Sequence, residues 1–146
     1  MYKPLLLFIT IAVIFYGCKK KSPPAQPVQT NPVPSVPVDI SLFPGDPLNF
    51  SIQSIGGWKY FLGGINGIIV YRKSQEEFVA IERTSSQLPN NAAAKVKVQN
   101  DNFSLLDSIS GSKWQIIDGV VSLGPAVWPL RLYGTTFDGN VLRIKN

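Results

Sequence analysis

The sequence has almost none of the residue types that cross-link a protein or transfer protons. It contains one cysteine, Cys18, and no histidine. A lone cysteine cannot form an intramolecular disulfide, so the folded state must be stabilised by burial of apolar side chains. Without histidine, the chain also lacks imidazole as a general acid or base and as a metal ligand.

The N-terminal segment predicts a lipoprotein signal peptide over residues 1–17. Lys3 supplies the positive charge of the n-region. Residues 5–16 form an apolar run of twelve, which is too short to span a bilayer. The run ends at Gly17-Cys18, which resembles the lipobox of bacterial lipoproteins, where a small residue precedes the acylated cysteine. An uncleaved anchor or a buried N-terminal strand is the alternative. The resemblance implies that Cys18 is lipidated and anchors the protein in the bacterial cell envelope, periplasmic or surface-facing.

Positive charge is concentrated near this predicted anchor. The formal net charge is +5, but from Asp39 onward ten Lys and Arg face nine Asp and Glu. The excess lies at Lys3 and in the run of lysines over residues 19–21, where it would face anionic lipid headgroups. A nearly neutral domain lacks the basic surface that nucleic acids require. The expected partners are therefore the membrane and an envelope protein, not nucleic acid.

Residues 18–38 predict a tether. Six prolines lie between Ser22 and Val38, a density that excludes a helix or a core strand and favours extended polyproline II. Twenty such residues at 3.1 Å each would hold a domain up to about 60 Å from the membrane. A proline-rich ligand for an aromatic groove is the alternative, but the position directly after an anchor favours a spacer.

Residues 39–146 predict short strands and no helix. The clearest strand is 94–98, where apolar and basic residues alternate with period two. The dipeptides Asp118-Gly119 and Asp138-Gly139 indicate tight turns, the second within a hairpin of residues 135–137 and 141–144. Further strands are predicted at 58–62, 65–71, 78–82, 103–106, 114–117, 120–121 and 130–133. We therefore predict an all-β fold, a small antiparallel sandwich or barrel.

Two stretches of this domain resemble the loops of a known family. The stronger comprises Ser110-Gly111-Ser112-Lys113-Trp114, then Asp118-Gly119, then Gly124-Pro125-Ala126 and Pro129-Leu130. It is similar to the second box of the Rieske-type [2Fe-2S] domain family, Cys-Pro-x-His-Gly-Ser-x-Phe, which is followed by a turn, a Gly-Pro-Ala loop and Pro-Leu. The weaker stretch, Ser85-Ser86-Gln87-Leu88, occupies the place of the family's Cys-Thr-His-Leu. The resemblance covers roughly residues 58–146 and implies a Rieske-like β domain.

The resemblance places the four cluster-ligand positions on Ser85, Gln87, Asp107 and Ser110. The family's cluster requires two thiolates on one iron and two imidazoles on the other, and none of these four residues is Cys or His. Oxygen donors suit Ca²⁺ or Mg²⁺, but one carboxylate among neutral groups carries little charge for a tight site. We expect a degenerate site without cofactor or metal. Ser112 matches a position that supports the cluster by a hydrogen bond in the family.

No catalytic residues are predicted, and the expected role is binding or structural support without redox chemistry. Ser110 and Lys113 have the Ser-x-x-Lys spacing of penicillin-recognising enzymes, but that motif requires a helical turn, which Gly111 and the strand after it exclude. Of the aromatic residues, several could stack on sugars or bases, although most are expected in the core. The alternative function, implied by the family, is Rieske-type electron transfer. The two loops are expected to close through Ser, Thr and Gln hydrogen bonds, with Leu88 and Ile109 packed inward.

Overall fold

The computed structural model describes residues 31–146, so the predicted signal peptide, Cys18 and the first part of the predicted tether lie outside it. The described chain forms ten strands and one 3₁₀ helix, Pro47–Ile52. The strands are β1 (Asp39–Leu42), β2 (Trp58–Phe61), β3 (Ile68–Arg72), β4 (Phe78–Glu82), β5 (Lys97–Val98), β6 (Ser104–Leu106), β7 (Lys113–Gln115), β8 (Val121–Leu123), β9 (Leu132–Phe137) and β10 (Leu142–Lys145). No described helix is long and apolar enough to cross a membrane.

The strands form two antiparallel sheets. The larger has the order β1-β10-β9-β4-β3-β2, and the smaller has the order β5-β6-β7-β8. This architecture confirms the predicted all-β fold. The predicted strand at 78–82 has the bounds of β4, and β9 and β10 pair around Asp138-Gly139 as expected.

The central strand β3 shows how the domain is packed. Ile68 and Val70 point into one apolar cluster, and Ile69 and Tyr71 point into the other, as successive side chains of a strand must. The second cluster also contains Trp114 and other residues of the smaller sheet. The larger sheet is therefore buried on both faces near its centre, which explains why β3 is a continuous apolar run.

Several strand predictions were wrong in detail. β1 and the 3₁₀ helix were not predicted, and the predicted strand 94–98 is reduced to Lys97–Val98, with Lys95 making only an isolated bridge to Thr84. The predicted strand 65–71 begins later, at Ile68. Positive φ angles at Gly63, Gly64 and Gly67 keep the preceding residues in a loop, because strand geometry requires negative φ.

Residues 31–38 pack on the domain, unlike the extended tether predicted over 18–38. Val33 is completely buried, and its carbonyl oxygen accepts hydrogen bonds from the Arg131 guanidinium. The Asn31 side-chain amide donates to the carbonyl of Pro129 at 2.9 Å, and the Val38 N–H donates to Asn146 Oδ1 at 2.9 Å. This segment, which we call the strap, thus joins the loop before β9 to the C-terminal residue.

Candidate functional site

The predicted cluster-ligand positions lie on two loops, the first over residues 84–90 after β4 and the second over residues 107–112 between β6 and β7. Ser85 and Asp107 are completely buried, whereas Gln87 and Ser110 are half-buried. Both loops therefore contribute one buried and one partly accessible residue. A third segment, residues 124–129 after β8, packs against them and is called the proline loop.

Asp107 organises the second loop. Its Oδ1 accepts a hydrogen bond from the Ile109 N–H at 3.0 Å, and its Oδ2 accepts one from the Ser110 hydroxyl at 2.6 Å. Its backbone carbonyl accepts from the N–H of Gly111 at 2.8 Å, and Gly111 adopts a φ of 75° that favours glycine. Two of the four predicted positions, Asp107 and Ser110, are thus bonded directly to each other.

The environment of Asp107 favours its ionised form. Burial raises the pKa of this carboxyl, but the Ser110 hydroxyl, the neighbouring Ser85 hydroxyl and the Ile109 N–H outweigh the effect of burial and hold the pKa below its usual value. Ser85 links the first loop to this carboxylate only weakly. Its buried hydroxyl makes no hydrogen bond of ordinary geometry with the described residues, although its backbone N–H donates to the Ala94 carbonyl at 2.9 Å.

Two expectations for these loops were wrong. Gln87 makes no side-chain hydrogen bond within residues 31–146, so it does not take part in closing the loops. Ile109 does not pack inward and is 50% exposed. The interior of this turn is polar, because the Asp107 carboxylate accepts hydrogen bonds there from the Ile109 N–H and the Ser110 hydroxyl.

Serine hydroxyls and a tryptophan carbonyl close the loops instead. Ser112 is completely buried, and its Oγ accepts a hydrogen bond from the Ala126 N–H at 3.0 Å. The Trp128 carbonyl accepts from the Ser86 hydroxyl at 2.7 Å and from Trp114 Nε1 at 3.0 Å. The proline loop is therefore bonded to the first loop, the second loop and β7 at the same time.

A buried carboxylate at the base of the first loop was not predicted from the sequence. Glu82, the last residue of β4, is completely inaccessible to solvent. Its Oε2 accepts from the Tyr133 hydroxyl at 2.6 Å and the Ile65 N–H at 2.8 Å. Its Oε1 accepts from the N–H groups of Asn66 and Thr84, both at 3.0 Å, and from the Thr84 hydroxyl at 2.8 Å.

These five donors make up for the loss of water around the Glu82 charge. Burial raises the pKa of Glu82, but the hydrogen bonds from Tyr133, Ile65, Asn66 and Thr84 together hold it below its usual value. Conversely, burial and the neighbouring carboxylate raise the pKa of the Tyr133 hydroxyl. A side chain at Gly64 would place its Cβ 2.1 Å from Glu82 Oε2, so the carboxylate requires glycine there.

Several other expectations can be compared with the structure. Ser110 lies in a loop and Lys113 begins β7, so the Ser-x-x-Lys residues do not share a helical turn. Trp114 and Tyr133 are buried, which confirms a core role for these two aromatic residues. Within residues 31–146, no three Asp, Glu, Cys or His side chains lie together as metal ligands.

Comparison with known proteins gives structural neighbours only. No family model and no curated protein matches the chain. The plasma membrane Rieske protein PetC3 from the cyanobacterium Synechocystis PCC 6803 is similar in structure, with 20% identity, a TM-score of 0.49, and coverage of 61% of this chain and 86% of that protein. The ferredoxin of carbazole 1,9a-dioxygenase from Nocardioides aromaticivorans IC177 is also similar, with 16% identity, a TM-score of 0.48, and coverage of 75% and 97%.

Proposed function

We propose that this chain is a lipid-anchored protein of the bacterial cell envelope whose Rieske-like β domain carries no iron–sulfur cluster and acts as a binding or structural module. The observation that carries the proposal is the 2.6 Å hydrogen bond between Asp107 and Ser110. These residues occupy two of the four positions that would hold a cluster. Here they bind each other and shape the second loop.

The chemistry of the four side chains supports the absence of a cluster. A Rieske-type cluster is held by thiolates and neutral imidazoles. Serine and glutamine offer neutral oxygen atoms, which compete poorly with soft ligands for iron–sulfur chemistry. Asp107 is the one anion among them, and its carboxylate already accepts hydrogen bonds from Ile109 and Ser110. The residues present therefore do not fit the cofactor that the resemblance implies.

Iron and sulfide analysis tests this part of the proposal. The protein is purified under anaerobic conditions beside a Rieske-type ferredoxin produced in the same host. We expect the ferredoxin to contain iron and acid-labile sulfide, and this protein to contain neither in stoichiometric amounts. Visible absorption bands of an iron–sulfur cluster in this protein would instead support the electron-transfer alternative.

The outer faces of the two loops and the proline loop supply the proposed interaction surface. Ile109 and Val127 are 50% and 78% exposed on the second loop and the proline loop. Apolar side chains on a hydrogen-bonded, well-positioned framework are suited to contact with a protein partner. The proposed partner is a protein of the same envelope compartment.

The strap supports a further part of the proposal, the distance of this surface from the proposed lipid anchor. Asn31 bonds to Pro129 of the proline loop, so the chain enters the domain beside the interaction surface. Twelve residues separate Cys18 from Asn31, and at 3.1 Å each they would span at most about 40 Å. This reach is shorter than the 60 Å expected for a tether extending to Val38. The surface would therefore remain close to the membrane.

Site-specific photo-crosslinking in intact cells tests the interaction surface. A photoreactive residue at Ile109 is compared with one at Glu76. Glu76 lies in the turn between β3 and β4, at the end of β4 remote from the first loop. We expect a discrete crosslinked product at Ile109 that is absent at Glu76. Equal products at both positions, or none at Ile109, would contradict this assignment.

A further inference from the structure

A groove beside the hairpin of β2 and β3 combines positive charge with apolar surface. It has a volume of about 450 Å³ and is lined by the loop from Phe61 to Gly67 together with Tyr60, Arg83 and Lys95. This volume lies within the range of small-molecule sites. The groove is separate from the four predicted cluster-ligand positions.

Arg83 is held in this groove by its surroundings. Its guanidinium carbon lies 4.0 Å from the centroid of the Tyr60 ring, in a cation–π arrangement. Its Nε donates to the Val96 carbonyl at 3.3 Å. Gly67 lies against this side chain, with its Cβ position in ordinary van der Waals distance of Arg83 Cδ at 3.4 Å, and its φ of 100° favours glycine.

The remaining donors of the groove are available for a ligand. The two terminal nitrogens of Arg83 and the Nζ of Lys95 make no hydrogen bond or salt bridge within residues 31–146. None of the residues that line the groove is acidic. Glu82 lies under Gly64, but it is completely buried and its oxygens accept hydrogen bonds from five donors. A fixed guanidinium beside a free ammonium thus faces the groove without a counter-ion in the described chain.

The apolar residues of the groove limit the chemical class of ligand that it could bind. Phe61 and Leu62 line it, and the Leu62 side chain is 94% exposed. The planar fork of arginine matches a carboxylate in a bidentate geometry. From this combination, we infer that the groove binds a small organic carboxylate that carries an apolar group, such as an N-acylated amino acid or the free C-terminus of a peptide. This inference does not depend on the proposed function.

The test uses N-acetyl-leucine and its uncharged amide, N-acetyl-leucinamide, as matched probes. The full chain, labelled with ¹⁵N in detergent micelles, is titrated while the amide signals of Gly63, Gly64 and Gly67 are followed. We expect saturable shifts with the acid and much smaller ones with the amide. Equal shifts with both probes, or none at about 50 mM of the acid, where a millimolar site is saturated, would overturn the inference.

Variants test whether Arg83 holds the carboxylate. Arg83→Gln should weaken binding of N-acetyl-leucine at least about tenfold, because the loss of a hydrogen bond between charged groups lowers the affinity by at least this factor. Arg83→Lys retains the charge and should still weaken binding severalfold, since it loses the bidentate geometry. Lys97→Gln removes the same charge from an exposed position outside the groove and should leave the affinity unchanged. The spectrum of each variant reports whether it is folded.

Inorganic phosphate distinguishes a specific carboxylate site from general anion attraction. Phosphate at the same ionic strength should compete weakly, because it has no apolar group to contact Phe61 and Leu62. Tighter binding of phosphate than of N-acetyl-leucine would overturn the assignment to an apolar carboxylate. Unchanged affinity in Arg83→Gln would also contradict this assignment, because Arg83 would then not bind the carboxylate.

Discussion

The Tyr133 hydroxyl donates a 2.6 Å hydrogen bond to Glu82 Oε2 inside the domain. This bond joins β9 to the end of β4, immediately before the first loop. Because the same carboxylate also holds the N–H groups of Ile65 and Asn66, it ties three separate segments together. Glu82 therefore supports both the first loop and the loop between β2 and β3, which lines the groove that contains Arg83 and Lys95.

Removal of the Tyr133 hydroxyl tests this relationship. We expect Tyr133→Phe to lower the free energy of unfolding by about 1–3 kcal/mol, because the carboxylate loses a buried charged hydrogen bond. Tyr71→Phe is a matched control, since Tyr71 is also buried and its hydroxyl makes no hydrogen bond within residues 31–146. Urea unfolding of both variants provides the comparison. Similar decreases in the free energy of unfolding of the two variants would show that the hydrogen bond from Tyr133 to Glu82 does not stabilise the domain.

The pH dependence of stability should depend on Asp107. Its folded pKa lies below the usual value, so its contribution is fully present above the unfolded pKa of about 3.9. The contribution is lost as the pH falls through the lower folded value. Asp107→Asn should therefore be less stable than the natural protein by about 1 kcal/mol at neutral pH, and this difference should shrink towards about pH 2.

Asp118→Asn is the control for this pH experiment. Asp118 also accepts a hydrogen bond on Oδ1 from a nearby N–H, that of Val120 at 2.9 Å, but it is exposed. The comparison is made by urea unfolding at several pH values. A stability difference for Asp107→Asn that stays constant down to about pH 2 would show that ionisation of Asp107 does not contribute.

The features that were predicted correctly depend on local sequence. β4 was predicted with its observed bounds because Phe78 to Ile81 are apolar, with β-branched Val79 and Ile81, and because they follow a polar turn, while Glu82 leads into a polar loop. The hairpin of β9 and β10 was predicted from its Asp138-Gly139 turn. In both cases the signal lies within a few consecutive residues.

The features that were missed depend on distant contacts. The donors to Glu82 include Ile65 and Tyr133, which lie 17 and 51 positions away, so the sequence shows only a glutamate at a strand end. The nearest signal in the sequence is the glycine cluster at 63, 64 and 67, which favours a turn but does not show what the turn encloses. One missed feature is local: the Ile109 N–H is bound by Asp107, two residues earlier, and hydrophobicity alone does not reveal such a turn.

Lipidation of Cys18 is a separate prediction from the sequence. We expect the natural protein to be found in the membrane fraction with a mass that includes acyl chains, because several chains each contribute about 0.8 kcal/mol per buried methylene. Cys18→Ser should abolish the modification and move the protein out of that fraction or leave it unprocessed. Detection of an unmodified Cys18 in the membrane-associated protein would contradict the prediction.

The strap should contribute to the stability of the domain. Val33 is completely buried and its carbonyl oxygen is bound by Arg131, so Val33→Ala leaves a cavity at a fixed position. We expect it to lower the free energy of unfolding by about 2 kcal/mol. Val127→Ala removes the same atoms from a side chain that is 78% exposed and should change the free energy by less than about 0.5 kcal/mol.

Urea unfolding of the full chain measures both valine variants, and limited proteolysis gives a second readout. If the strap is packed as described, cleavage between residues 31 and 38 should be slow in the natural protein and faster in Val33→Ala, because local opening exposes the chain to protease. The Val33→Ala variant keeps the backbone carbonyl that accepts from the Arg131 guanidinium, so this hydrogen bond is lost only when the strap opens. Equal stability of the two variants, with rapid cleavage in the natural protein, would mean that residues 31–38 act as a free tether. The tether would then extend to Val38 and could hold the domain up to about 60 Å from the membrane.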